Sequence, residues 1–489
     1  MSTATPTPSA TAEPSGAIGT LKKNSLDARG ITFLVVSAAA PLTVIAGTVP
    51  LAILIAGPAA PTAYLVVGVA LAIFAVGFMA MTNRISRTGG FYPYIAAALG
   101  KHMGLGAGIL ALVSYNAMQI GIYGLFAVNA KAMLATVFGI DVPWPVLAGV
   151  ALVGVWAMGF TGIDIGARVL GVLLVAETIA LAVLGVAILV TGGSPEGFGT
   201  GVFAPVNVFT PQFAVVLGLA FAAFIGFEST VLYRAEARTP HRTIPRATYI
   251  AVAAMTLFYF VLTWLLVQAY GESAVQAFIG ENGVETFLFA TAGSRLGQVA
   301  TSVFLLLIVT SVFAALLAFH NSINRYTYAL ARDGVLPAAL GRTRPRNGTP
   351  WVAGLAQSVL AAIIVGGFAL AGADPYLQLL IWVNTPGVVG VVVLQILAAA
   401  SVVVFFVRRA SRADRPWYAV PAGIAGGVLM LVFLVLIVVN IGVLTGADDT
   451  TNAVIIGVIP VAFLVGLVLA EVLRRARPAA YAGIGGPEQ

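Results

Sequence analysis

Long apolar runs separated by short polar ones recur along the whole chain. Twelve of them, at residues 31–56, 62–82, 104–129, 145–162, 168–191, 211–233, 248–270, 298–326, 351–371, 377–407, 418–444 and 453–473, approach or exceed the roughly 20 residues that a helix needs to cross a hydrocarbon core. The pattern predicts an all-α polytopic membrane protein, with its membrane domain over residues 29–475 and no soluble companion domain. The fourth run is short, and Trp144 between two prolines marks its interfacial start.

Two runs are interrupted. The sixth lies in VVLGLAFAAFIGFESTVLYRAEARTPHRTIPR (215–246), where Gly226 and Glu228 break an apolar stretch that ends in a basic, proline-punctuated loop. A glutamate beside a glycine at that depth is costly unless protein or water satisfies it, so the helix is expected to open and leave backbone N–H and C=O groups for a ligand. A plain packing contact, with Glu228 hydrogen-bonded to a neighbouring helix, is the alternative. The first run, FLVVSAAAPLTVIAGTVPLAIL, holds Pro41, Gly47 and Pro50; Pro41 removes a helical donor and Gly47 admits unusual backbone geometry. The broken runs stand five apart, and five crossings reverse the second half, which predicts an inverted repeat of residues 31–191 and 211–407 with discontinuous helices 1 and 6. Residues 418–473 then supply two helices outside the repeat.

Composition agrees with a membrane protein: 60% of the 489 residues are hydrophobic and 9% charged, against about a quarter charged in soluble domains. Charge adds orientation. All but Lys131 and Arg295 of the 25 Lys and Arg residues fall in the termini or in the loops after even-numbered runs, which places both termini in the cytoplasm. Glu196, Glu272, Glu281, Glu285, Asp374, Asp448 and Asp449 lie in the opposite loops. Residues 1–28 read as a disordered cytoplasmic tail, whose Ser-, Thr-, Pro- and Ala-rich part, Met1–Thr20, lacks the apolar core of a signal peptide. The Gly- and Pro-rich residues 476–489 are a second cytoplasmic tail, also expected to be unstructured. Without cysteine, disulfides and thiolate chemistry are excluded, and His102, His241 and His320 are too dispersed for a metal site. No cofactor, metal or nucleic acid is expected.

Few polar residues lie inside the runs. Glu177 sits about ten residues into the fifth, roughly 14 Å from its inner end, near the membrane midplane. An acid there is either a proton carrier or a structural acid joining two helices. Tyr115, Asn116, Gln119 and Tyr123 form a polar stripe on the third run that serves a ligand, whose positive charge the rings would cover, or interhelical hydrogen bonds. His320 and Asn321 read as structural. Asn384 and Thr385, before Pro386-Gly387, mark a further break in the tenth run.

Three stretches, FIGFES with AEARTPHRTIPRA (224–247), NRYTYALARDGVLP (324–337) and RTGGFYPYIAAALGKHMG (87–104), resemble the amino acid, polyamine and organocation (APC) transporter superfamily over nearly the whole membrane domain. The resemblance implies a substrate held between broken helices 1 and 6, by Thr43, Val44, Ile45, Ala46 and Gly47 on one side and Ala223, Phe224, Gly226 and Phe227 on the other. Tyr115, Asn116 and Gln119 would add lining from the third helix. Family members carry Gly-Ser-Gly where this chain has Thr43-Val44-Ile45, so the glycines whose N–H groups hold a substrate carboxylate are missing here. Ala235-Glu236 stands where two acids are usual. Glu177 occupies the place where many proton-coupled members have a lysine.

The function expected is a secondary transporter, a permease that imports an amino acid or related small amine across the plasma membrane by alternating access and proton symport, with sodium a less favoured driving ion. A polyamine or organic-amine transporter, an exchanger and a non-transporting sensor are the alternatives. The mostly apolar runs offer no through-going polar pore for a channel, and the scattered ionisable groups offer no convergent set for an enzyme. In this cysteine-free chain, Asp449→Cys should react with an impermeant thiol reagent outside intact cells, whereas Arg344→Cys should not; reversed labelling would invert the orientation.

Overall fold

The computed structural model describes residues 20–85, 87–408 and 415–484; the expected disorder of residues 1–19 and 485–489 concerns positions outside these. Among the described residues the chain is helical throughout, with one isolated parallel bridge between Leu26 and Ala237. The long helices are α1 (Ala28–Ala39), α2 (Val49–Ala56), α3 (Ala60–Thr82), α4 (Lys101–Met133), α5 (Trp144–Gly159), α6 (Ile163–Val190), α7 (Pro211–Ala222), α8 (Pro240–Tyr270), α9 (Gln298–Arg332), α10 (Trp351–Leu370), α11 (Val383–Arg408), α12 (Ala419–Val439) and α13 (Asp449–Ala476). Ten helical stretches among the described residues are long and apolar enough to cross a membrane. Residues Ala28–Thr82 count among them as one stretch although the chain turns at Gly57, and α5 falls short of the required length.

Side-chain oxygens of Asp27, Thr210 and Asp448 cap the starts of α1, α7 and α13 by accepting from backbone N–H groups of the first turn, where a helix has no internal partners. At the centre α4 packs against α9, α11 and α13, while α1 lies against α6, α8 and α9. Small residues let these helices approach closely: a Cβ on Gly466 would lie 2.6 Å from the Gly106 Cα, joining α13 to α4.

The bundle has two chemically different ends. At one, Arg325 pairs with Glu236 at 2.6 Å, both side chains buried, and stacks over the Tyr233 ring at 4.9 Å. Beside them, Asp333 accepts from Arg87 and from the Tyr92 hydroxyl, each at 2.6 Å. The segment before α1 runs across this end: Ser25 and Leu26 donate to the Glu236 carbonyl, Arg238 N–H donates to the Leu26 carbonyl, and Leu21 and Leu26 are buried. The opposite end carries acids: Glu272 accepts from Gly201 N–H, and Glu196 accepts from Ser273. Basic and acidic loops thus segregate as their alternation along the sequence implies.

Two expectations are corrected here. Composition predicts disorder over residues 1–28, yet residues 21–26 are held against the basic end by those bonds and by burial of two leucines. Within the C-terminal tail, also expected to be unstructured, Pro478–Gly483 is helical and Ile484 is buried against Tyr92, Leu105 and Leu330. The carbonyls of Ala482 and Gly483 accept from Lys101 at 2.6 Å and Arg87 at 3.0 Å, and Tyr481 hydrogen-bonds His102 at 2.8 Å. Glycine and proline composition suggested disorder, but neighbouring donors and a small apolar cluster hold the segment.

Removing one member of a buried ion pair strands the other charge, at a cost of about 3–5 kcal/mol. Arg325→Met should therefore lower the thermal unfolding midpoint of the purified protein markedly, and adding Glu236→Gln should recover part of the loss. An unchanged midpoint in the single variant would show that water reaches Glu236.

Candidate functional site

α1 stops at Ala39 because Pro41 has no N–H to continue the ladder. Ala40 takes a left-handed conformation with φ 46°, its N–H donating to the Ser37 carbonyl. The next helical residues, Pro41–Thr43, pass into a wide turn at Val44–Thr48 before α2. Val44, Ile45 and Ala46 are buried, Thr43 is half-buried, and Gly47 is exposed, with no atom within 4 Å of where its Cβ would be. The first interruption is therefore open at Gly47.

The second lies between α7 and the tighter helix Phe227–Glu236, across Ala223–Gly226. Gly226 has φ 121°, and a Cβ there would sit 2.9 Å from the Ala38 Cβ and 3.2 Å from the Val35 carbonyl oxygen. Glycine is required twice, by backbone conformation and by the approach of α1. The second interruption thus packs against the last turn of α1, just before the first interruption.

The backbone groups of Gly226 have partners within the protein, as the packing alternative anticipates. Gly226 N–H donates to Glu228 Oε2 at 3.0 Å, and its carbonyl accepts from Ser229 Oγ at 2.6 Å. Glu228 Oε1 accepts from the Tyr115 hydroxyl of α4 at 2.6 Å. Glu228 and Tyr115 are both buried, so one carboxyl closes the loose end of the broken helix and ties it to α4. A glutamate two residues after the break satisfies locally what the apolar setting would otherwise leave exposed.

The polar stripe divides by partner. Tyr115 turns to Glu228, and its ring packs 5.4 Å from Tyr326 and 5.9 Å from Phe319. Asn116 donates to the Leu112 carbonyl of its own helix at 2.7 Å. Gln119 donates to the Leu316 carbonyl of α9 at 3.1 Å and to Tyr123 at 3.5 Å. Ala223, Phe224 and Phe227 are buried, the rings of Phe224 and Phe227 packing on Tyr259 and Phe74.

Glu177 is buried at a second cluster, against the first interruption. The Ser311 hydroxyl and the Leu42 backbone lie beside its carboxyl, and Oε2 has no partner among the described residues. Thr43 Oγ1 donates to Ser311 Oγ at 3.4 Å. An acid on α6, the unwound first segment and α9 therefore converge. Sequence reasoning did not single out Ser311 or Tyr326, although Ser311 is a hydroxyl inside an apolar run and Tyr326 lies within NRYTYALARDGVLP. His320 is buried with Nδ1 unpartnered, and the Asn321 carbonyl accepts from Arg325 at 2.8 Å. Asn384 and Thr385 are half-buried, and the Thr385 hydroxyl donates to the Ile381 carbonyl.

The sequence model of the amino acid permease family matches residues 26–465. Among curated proteins, the chain is 26% identical over 342 residues to a branched-chain amino acid permease of Lactococcus lactis subsp. cremoris, covering 64% of this chain and 69% of that permease. It is 25% identical over 293 residues to a serine/threonine exchanger of Bacillus subtilis, covering 58% and 63%. To the methylthioribose transporter of Bacillus subtilis it is 23% identical over 338 residues, covering 63% and 68%. Proteins named for quite different solutes are thus about equally similar.

The two interruption glycines should respond differently to a methyl group. Gly226→Ala meets both a left-handed φ and α1, so it should lower the thermal midpoint by several degrees and abolish uptake. Gly47→Ala meets open space and should leave the midpoint within about a degree, an effect of the size expected where no packing changes. Equal tolerance at both positions would contradict the close approach of α1 to Gly226.

Proposed function

The chain belongs to the amino acid permease family, and we propose that it is a secondary transporter importing an amino acid or related small amine by proton symport and alternating access. The observation that carries this reading is the Glu177 carboxyl, buried in α6 beside the backbone of the interrupted first run and with Oε2 unpartnered among the described residues. A group so placed can change its charge where a substrate would change the geometry of the same backbone. Helix–helix adhesion alone would be met by a neutral amide.

On this reading α1 and α2 form one crossing, α5 another, and the helices make twelve crossings in all, arranged as an inverted repeat of residues 31–191 and 211–407 followed by 418–473. Both termini face the cytoplasm across the plasma membrane. The exposed Gly47 then marks the approach from outside, while Tyr115–Glu228 and Arg325–Glu236 close the inward path. Substrate settles between Thr43–Gly47 and Ala223–Phe227, beside Tyr115, Asn116 and Gln119, and inward release requires both closures to part. Buried Val44 and Ile45 suit a substrate with an apolar side chain, and the branched-chain permease among the relatives agrees. The likeness to a serine/threonine exchanger favours obligate exchange as a second reading.

Glu177→Gln decides whether this acid carries the coupled proton or only joins two helices. A glutamine mimics a permanently protonated acid, so substrate binding and exchange across the membrane should survive while net accumulation driven by a pH gradient fails. The reason is thermodynamic: a gradient drives uptake only when protonation differs between steps of the cycle. Retained accumulation with a normal dependence on external pH would exclude coupling through Glu177.

A further inference from the structure

A cavity of about 570 Å³ opens at the basic end between α1 and α6, lined by residues other than those of the two interruptions. Its rim carries three arginines from distant parts of the chain, Arg29, Arg168 and Arg238, and its deeper wall is apolar, with Phe33, Val172 and Val175. A smaller hollow of about 310 Å³ continues it along α6 and shares Arg168 and Val172. Val172 and Val175 are 66% and 45% exposed, so the groove is apolar and open below its charged rim.

Several arginines of this end are already engaged. Arg325 is engaged by Glu236, Arg87 by Asp333, Arg234 by the Thr82 carbonyl and Arg344 by the Phe160 carbonyl. The side chains of Arg29, Arg168 and Arg238 are exposed, and no ion pair or hydrogen bond holds them among the described residues. Asp27 is the acid of the rim, and it already accepts from Gly30 N–H at 2.8 Å in capping α1. The groove therefore keeps a net positive rim directly above an apolar wall.

We infer that this groove binds an anionic phospholipid of the surrounding leaflet, its phosphodiester headgroup among the three arginines and an acyl chain along Phe33, Val172 and Val175. The inference rests on the membrane orientation in the proposed function, which sets this end at the cytoplasmic surface, where anionic lipid meets basic side chains. A soluble anion would match the arginines and leave the wall uncovered, while a neutral lipid would match the wall and leave the charge uncovered. A lipid so seated fills the gap between α1 and α6.

Native mass spectrometry of the detergent-purified protein, titrated with phosphatidylglycerol or phosphatidylcholine of the same chain length, tests this. The wild-type chain should bind the first at least about tenfold more tightly, and Arg29→Gln/Arg168→Gln/Arg238→Gln should lose that preference, since each arginine near the surface contributes about fivefold. Should the triple variant fold poorly, Arg168→Gln alone should show a partial loss. Full preference in folded variants would overturn the assignment, as would displacement of the lipid by millimolar glycerol phosphate, which would mark a soluble-anion site. The readout needs no substrate, so failure of transport would leave it standing, and its failure would leave transport untouched.

Discussion

Backbone polar groups inside a bilayer must find partners within the protein, and that requirement governs this molecule at Gly226. The helix breaks there, α1 presses against the break, and Glu228 accepts the N–H that the break would leave unpaired. The same carboxyl holds Tyr115 of α4. One glutamate therefore allows a helix to be discontinuous at the centre of the bundle and fixes its lower part to a neighbour. Without it, the segment Phe227–Glu236 would begin with an unsatisfied donor in an apolar setting, where each such group costs several kcal/mol.

From that point the rest of the architecture follows outward. Phe227–Glu236 ends at Glu236, whose carboxylate meets Arg325 and whose carbonyl receives Ser25 and Leu26. The segment Phe227–Glu236 is thus clamped at its start by α4 and at its finish by α9 and the segment preceding α1. The first interruption is placed differently: Pro41 ends α1, Thr43 donates to Ser311, and buried Glu177 lies beside Leu42. One interruption is satisfied by a carboxyl two residues on, while the acid near the other comes from a distant helix.

Much of this was legible in the sequence. The apolar runs have helical counterparts because a stretch of that length has few other ways to satisfy its backbone, and Pro41, Gly226 and Glu228 marked the breaks by their chemistry. Segregation of Arg and Lys anticipated a basic end. Long-range pairings were not legible: nothing local to Arg325 points to Glu236, 89 positions away. Nor did the stripe on α4 reveal that Asn116 would bond its own helix while Tyr115 and Gln119 reach different neighbours, since spacing gives a face and leaves the partner open. The closed environment of Gly226 was left as one of two alternatives for a related reason: a glutamate two residues on can be ligand-facing or self-capping, and only the turn decides. The helical Pro478–Gly483 was hidden because composition says nothing of the carbonyl acceptors that Lys101 and Arg87 would seek.

The central claim is that these two neighbouring interruptions form a site that passes an amino acid or small amine from one face of a membrane to the other. Counterflow tests it most directly. Purified protein in proteoliposomes loaded with one unlabelled solute, from a panel of amino acids, polyamines and other amines, is diluted into a trace of the same labelled solute with no ion gradient. A transient internal accumulation of label for at least one amino acid or amine is the result expected of a carrier with alternating access. Absence of counterflow for every member of the panel, from folded protein, would contradict the account.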